Sequence, residues 1–260
     1  MRKAILGFAF VAPFLMLAAW PVSPIGAIGI LFASHMLILY PTLRARSQWL
    51  GPVITHFKPE GDQVWLTIDD GPTDDTEEVV DVLARNDAKA TFYVKGKLAH
   101  EHPERLSRII DAAHDLGNHS LSHPSAFFWC LPPGAVISEI AGCNSVISEI
   151  AGSPPRTFRA PVGMKNPFVH PVLRQLGMPL VAWTSRGFDG VDGFDPEPTA
   201  RRILDEVRPG AIILMHQGVL GTDGEPASAR CLQLVLEGLT ARGLRCVIPS
   251  TDSLLTDSET

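Results

Sequence analysis

Cysteine is scarce. The 260 residues contain four, Cys130, Cys143, Cys231 and Cys246, and none forms a CxxC pair. That excludes a disulfide scaffold and suits free thiols in a reducing compartment. Acidic side chains are missing from the first fifty residues, which hold only Arg2, Lys3, Arg44 and Arg46 as charges. Of the 22 basic residues, the other 18 share the rest of the chain with all 28 acidic ones, a formal −10. No basic stripe crosses that acidic body, which disfavours nucleic-acid binding. The chain also lacks the low hydrophobicity of disordered proteins and the glycine period of collagen. Its apolar content is 45% and its mean hydropathy +0.14, high for a wholly soluble domain, so part of it is expected in lipid.

Two uncharged runs, residues 4–19 and 25–40, flank the segment Trp20-Pro21-Val22-Ser23-Pro24. As one helix, residues 4–40 would be about 55 Å long at ~1.5 Å per residue, too long for a ~30 Å hydrocarbon core. Each run alone gives about 24 Å, near the length of a short span. The two prolines favour a turn. Residues 1–45 are therefore expected to form a transmembrane hairpin. The flanking cations put both ends, and the body with them, on the cytoplasmic face of a bacterial inner membrane. The alternatives are a cleaved signal peptide ending near Ala18-Ala19, or a signal anchor with the body on the periplasmic or extracellular face. The second apolar run counts against cleavage.

From residue 60 the chain alternates. β-rich runs occur at 64–68, 90–94, 157–160, 179–183, 211–215 and 244–248, with helical patterns near 76–86, 103–116, 134–151, 167–176, 198–207 and 228–242. A further short strand is expected to end at Gly117-Asn118-His119. Such alternation predicts an α/β fold with parallel strands and helices outside. About seven units favour a barrel over an open sheet, and no linker divides residues 60–250. Val136–Gly142 repeats as Val146–Gly152. The ten-residue offset turns the copies about 280° apart on a helix, so they share no face. Residues 251–260 read as a polar tail that frays.

Polar residues collect where strands end, the place where βα-barrels carry their chemistry. The first run ends in Asp69-Asp70-Gly71-Pro72, the short strand in His119-Ser120-Leu121-Ser122-His123, and the run at 157–160 in Arg159-Ala160-Pro161. The run at 179–183 leads to Arg186 and Asp189, and that at 211–215 ends in His216. Neighbours on a strand point to opposite faces, but a turn at Gly71-Pro72 would let both carboxylates approach one centre. An Asx turn capping the next helix explains DDGP equally well. The i, i+4 spacing of His119 and His123 suits one face of a helical turn, a common way to offer two imidazoles to a metal. Asp70 supplies a third ligand, which leaves positions open for water, the pattern of a catalytic site. Zn²⁺ is the default ion, and Co²⁺ or Ni²⁺ fit the same donors. His216 follows a buried-looking run, which alone suggests a core histidine. Arg159 beside a carboxylate would hold it charged.

These motifs in this order, TIDDGP, HSLSH, RAPVG, the segment through Asp189, and LMH, resemble the polysaccharide deacetylases of carbohydrate esterase family 4, whose members include chitooligosaccharide deacetylases. The resemblance covers roughly residues 60–250. It implies a distorted (β/α) barrel of about seven parallel strands, here preceded by the hairpin. It also implies that Asp69 is the general base, that Asp70, His119 and His123 hold one divalent ion, and that Arg159 charges and orients Asp69. His216 would be the general acid, tuned by Asp189, and the backbone N–H near Val162 an oxyanion donor. Pro161, Trp183, Phe128 and Trp129 are the candidate sugar contacts. The implied reaction removes N-acetyl groups from an amino-sugar glycan or from a lipid- or nucleotide-linked precursor. Removal of an O-acetyl or formyl group, and non-catalytic glycan binding, are the rival readings. Three departures make an unusual pocket expected: Val162 stands where an aromatic is common, Arg186 where a second Asp is common, and Gly190 where Trp often follows.

Overall fold

A computed structural model of the chain describes residues 1–257. Two helices come first, α1 (Arg2–Ala19) and α2 (Pro24–Leu43). Ser23 caps α2 by accepting from the Gly26 N–H, and Pro24 opens it where a missing N–H costs nothing. The turn falls at Trp20–Ser23, as the two prolines predict. Both helices are long and apolar enough to cross a membrane. They leave Phe10, Phe14, Leu17, Ile25 and Phe32 exposed rather than packed in a core.

The body runs β1 (Val53–Phe57), β2 (Gln63–Gly71), α3 (Thr76–Arg85), β3 (Ala90–Val94), α4 (Gly96–Glu101), α5 (Pro103–Asp111), β4 (Asp115–Asn118) and α6 (Pro133–Ala151). It continues with α7 (Val169–Gln175), β5 (Leu180–Val181), β6 (Ser185–Arg186), α8 (Pro196–Glu206), β7 (Ile212–His216), α9 (Ser228–Ala241), β8 (Arg245–Cys246) and β9 (Leu254–Thr256). One sheet has the order β4-β3-β2-β7-β6, with β8 beside β2, and all its pairings are parallel. A second sheet, β5-β1-β9, pairs β1 parallel with β5 and antiparallel with β9. Single-residue bridges Asn118–Phe158 and Phe158–Leu180 join the two.

Strand alternation sorts the core into two layers. Val64, Leu66 and Ile68 of β2, Phe92 of β3, and Ile213 and Met215 of β7 face the helices α3, α5, α8 and α9. Trp65, Tyr93, Ile212 and Leu214 face the interior with Phe158, Leu180 and Trp183. By the same period of two, Thr67 and Asp69 point inward from β2, and Asp69 pairs in register with His216 of β7. The ladder thus brings a carboxylate and an imidazole side by side at the strands' C-terminal ends.

The structure departs from the sequence reading in several places. Instead of about seven parallel strands there are nine short ones among the described residues, eight of them in parallel ladders. Residues 157–160 form only bridges, because Pro155 and Pro161 withhold N–H donors on either side. The helix expected to reach 116 stops at Asp111, where Ala113 turns into the left-handed region (φ 57°) and frees 115–118 for β4. Strands β1, β6 and β9 and helix α4 were not legible. Thr251–Thr256 do not fray, since β9 pairs with β1, while 258–260 lie outside the described residues.

Lys165 ties the hairpin to the body. It is fully buried, and its Nζ donates to the carbonyls of Arg44 (2.6 Å) and Ala45 (2.9 Å) just past α2. Its own N–H donates to Thr42 O, and Arg2 Nε donates to Pro167 O. Burial lowers the ammonium pKa to about 7. Lys165→Met keeps most of the volume but leaves two carbonyls without a donor. It is expected to lower unfolding free energy by about 1–3 kcal/mol, read by denaturation of the detergent-solubilised chain. Unchanged stability would mean that the carbonyls find other donors.

Candidate active site

The end of β2 sets the geometry. Between Asp69 and Gly71 the register against β3 slips by one residue, and Asp70 takes a positive φ of 76°. A bulge of this kind re-aims side chains. Both carboxylates therefore approach one centre, as a turn at Gly71-Pro72 was expected to allow. Their partners then separate them. Asp69 accepts from Arg159 Nη1 at 2.7 Å, with both side chains buried. Asp70 Oδ1 lies 3.3 Å from His123 Nε2, 3.8 Å from His119 Nε2 and 3.3 Å from Lys95 Nζ.

Asp70, His119 and His123 offer ligand atoms that all lie within 4.8 Å of one another. The donor set passes a chemical test for a cation. Asp70 Oδ1 is buried yet receives no hydrogen bond: its three neighbours stand at ion-pair distance without donating to it. His119 Nδ1 lies 2.9 Å from Arg159 O; the carbonyl can only accept, so Nδ1 carries a proton and Nε2 is the ring atom turned toward Asp70. Burial, with His119 beside it, lowers His123 to about 4, which suits it to ligate. Burial alone would raise Asp70, but His119, His123, Lys95 and His216 outweigh it and bring its pKa to about 2. The histidines do not sit on a helical turn. Ser120 (φ 70°) and His123 (φ 50°) bend the segment after β4, and this bend places the rings 4.7 Å apart.

Arg159 is held on every side. Beyond Asp69 it donates to Thr67 Oγ1 (2.7 Å) and Ala182 O (3.1 Å), and it lies 4.1 Å over the Tyr93 ring. Asp189 grips His216 twice, through the His216 backbone N–H (2.7 Å) and through Nδ1 (3.1 Å). Burial works against a charged imidazole there, but the Asp189 hydrogen bond and charge, helped by Asp69 and Asp70, raise its pKa to about 9. Gly190 leaves room for this ring, since a Cβ there would stand 3.0 Å from it.

Val162 occupies the left-handed region (φ 49°) and is 51% exposed. The turn's hydrogen bonds run from Gly163 to Ala160 and from Met164 to Pro161, bypassing the Val162 N–H. Among the candidate sugar contacts, Phe128 is wrong: it is fully buried and packs on Phe158. Pro161 is buried, Trp183 is 9% exposed, and Trp129 is exposed with Nε1 donating to Ala126 O. Sequence reasoning missed Lys95, Thr67 and Tyr93. Lys95 was findable, because it follows β3 at the same rim as the other strand-end residues. Thr67 and Tyr93 are inward positions of strands and carry no local mark.

The geometry can be set beside known proteins. Residues 57–181 match the family model described as polysaccharide deacetylase. A chitooligosaccharide deacetylase from Bradyrhizobium is 31% identical over 72% of this chain and 83% of its own length. The chain belongs to the polysaccharide deacetylase family. The structure of a family 4 carbohydrate esterase from Streptomyces lividans, solved with acetate, superposes with a TM-score of 0.65 at 25% identity, covering 75% of this chain and 97% of that one. A CE4 family pseudoenzyme from Bacillus anthracis superposes equally well, at 0.65 and 24% identity over 75% of this chain and 66% of that one. The fold alone therefore does not decide activity, and the side chains at the site must.

Two outcomes follow. The purified chain is expected to hold about one divalent ion, and His119→Ala and Asp70→Asn to lose it, as measured by elemental analysis. Arg159→Met strands a buried carboxylate and is expected to cost about 3–5 kcal/mol in unfolding free energy; a loss below 1 kcal/mol would show that water reaches Asp69.

Proposed function

We propose that this chain is a membrane-anchored, metal-dependent N-deacetylase of an acetylated amino sugar. The observation that carries the reading is the adjacency of two assemblies. Asp69, fixed by Arg159, stands beside the Asp70–His119–His123 donor set and in ladder register with His216. A divalent ion held by those three residues would acidify a water and polarise the acyl carbonyl.

The chain's own residues supply the rest. Asp69 Oδ1 is occupied by Arg159, which leaves Oδ2, 3.5 Å from His119 Nε2, to accept the proton of the attacking water. The Val162 N–H, free of the turn's own bonds, is the donor for the oxyanion. His216 is protonated at neutral pH and hands its proton to the departing nitrogen, a poor leaving group as an anion. Asp189 keeps that imidazole oriented and charged. The products are acetate and a free amino sugar.

The hairpin accounts for the exposed apolar surface of α1 and α2. Arg2, Lys3, Arg44 and Arg46 all lie at its body end, which by the positive-inside rule supports a cytoplasmic body.

Acetate release from N-acetylated chitooligosaccharides tests the reading. Asp69→Asn is expected to lower kcat by about 10²–10⁴-fold while metal content stays near one. Binding without turnover, insensitive to Asp69→Asn, would leave a glycan-binding protein instead. His216 acts as an acid below its pKa, so kcat/KM is expected to fall as pH rises through about 9. Asp189→Asn removes the main support of the protonated form and is expected to move that fall to lower pH. An unmoved alkaline limb would assign it to another group.

A further inference from the structure

The rim of the site is unusually apolar for a groove that meets water-soluble glycans. Most large apolar side chains exposed outside the hairpin stand on the loops that carry the catalytic residues. Phe127 and Trp129 follow His123, Val162 follows Arg159, Phe188 and Val191 flank Asp189, and Leu220 follows His216. Phe127, Phe188 and Val191 are 65%, 56% and 69% exposed. Ile137, Phe168 and Leu176 stand apart and need no explanation, but six such residues on the loops around one site mark a surface that meets another apolar phase.

The hairpin leaves the body at this same rim. Lys165 and Pro167, in the loop that begins at Val162, hold Thr42, Arg44, Ala45 and Arg2. The apolar mouth is thus continuous with the helices that enter the bilayer. Between them lies a cleft of about 750 Å³, whose walls include Arg44, Arg46, Arg186, Arg208, Trp183 and Val162. Asp205 and Glu206 also line it, yet no ion pair joins either to these arginines among the described residues. Arg46 is taken by Asp257 at 3.1 Å. Arg186 instead lies 4.1 Å over the Phe188 ring of the rim and 5.7 Å over Trp183. Arg159 lies 5.8 Å over Trp183, so one indole separates the cleft from the arginine that holds the base. Arg44 and Arg186 make no ion pair among the described residues, and such guanidinium groups suit a phosphate.

We propose that the mouth faces the bilayer and that the substrate is an N-acetylated amino sugar carried on a lipid phosphate, with the phosphate seated between Arg44 and Arg186. The proposal rests on the deacetylase reading and names its substrate class. Sugar and phosphate are neighbours in such a molecule, and the cleft shares Val162 with the site and touches Arg159 through Trp183. The lipid chain would run along the hairpin.

The test uses the full chain in phospholipid vesicles with three probes. These are N-acetylglucosamine linked through phosphate to a long-chain isoprenoid alcohol, the same sugar phosphate without lipid, and chitotriose. Acetate release and equilibrium binding are both read. The lipid-borne probe is expected to have a kcat/KM at least tenfold above both others. In the Arg44→Gln/Arg186→Gln double variant, the ratio of lipid-borne to chitotriose kcat/KM is expected to fall at least tenfold, with partial recovery in Arg44→Lys/Arg186→Lys. Phe188→Ser with Val191→Ser is expected to lower the lipid-borne value alone. Equal turnover of all probes, or a ratio unchanged in the double variant, overturns the proposal and leaves the deacetylase reading standing. Equal turnover of the two sugar phosphates overturns the membrane-facing mouth. If no probe releases acetate, the enzyme reading fails, and binding decides the cleft: a tenfold loss of lipid binding in the double variant supports it, and no loss overturns it.

Discussion

Two carboxylates on consecutive residues repel each other, and the site exists because the backbone and its neighbours give them different partners. The left-handed twist at Asp70 turns its carboxylate to the side where Asp69 already points. Arg159 then takes Asp69, while two imidazoles and Lys95 surround Asp70. That division suits one carboxylate to accept a proton and the other to bind a cation. Without that division, burial would favour protonating one of the pair, and neither role would survive.

The rest of the fold serves this division. Strand alternation delivers Asp69 and His216 to the same interior layer, and the ladder sets them side by side. Arg159 reaches the centre from residues joined to both sheets by single-residue bridges, where prolines prevent a longer strand. The loop that follows it carries Val162 and is stitched to the hairpin through Lys165. The anchorage of the hairpin to the body and the unbonded Val162 N–H therefore share one short segment. A disturbance of the hairpin would reach the chemistry through that segment rather than through the sheet.

Much of this was legible in the sequence because chemistry in a βα fold gathers at strand ends. Asp69, Asp70, His119, His123, Arg159, Asp189 and His216 all follow or end apolar runs, and the structure brings them into one neighbourhood. The hairpin was legible for a different reason: two uncharged runs split by prolines have few other readings. What escaped depends on tertiary context. The His119–His123 spacing suggested a helical turn, whereas two residues with positive φ do the work. Phe128 looked like part of an apolar binding loop, yet the 3-10 turn at Phe128–Cys130 buries it against Phe158. Strands of two or three residues, such as β6 and β9, are defined by their partners and leave almost no trace in composition. Lys165 reads as a surface cation until α2 ends on top of it.

The central claim is spatial: residues distant along the chain hold one divalent ion beside a separate acceptor. Anomalous diffraction from crystals of the metal-loaded chain tests it most directly. The expected map shows a single strong peak coordinated by His119, His123 and Asp70, with Asp69 outside the coordination shell and still bound to Arg159. A peak at another place, or one that draws Asp69 away from Arg159 into the shell, would contradict the account.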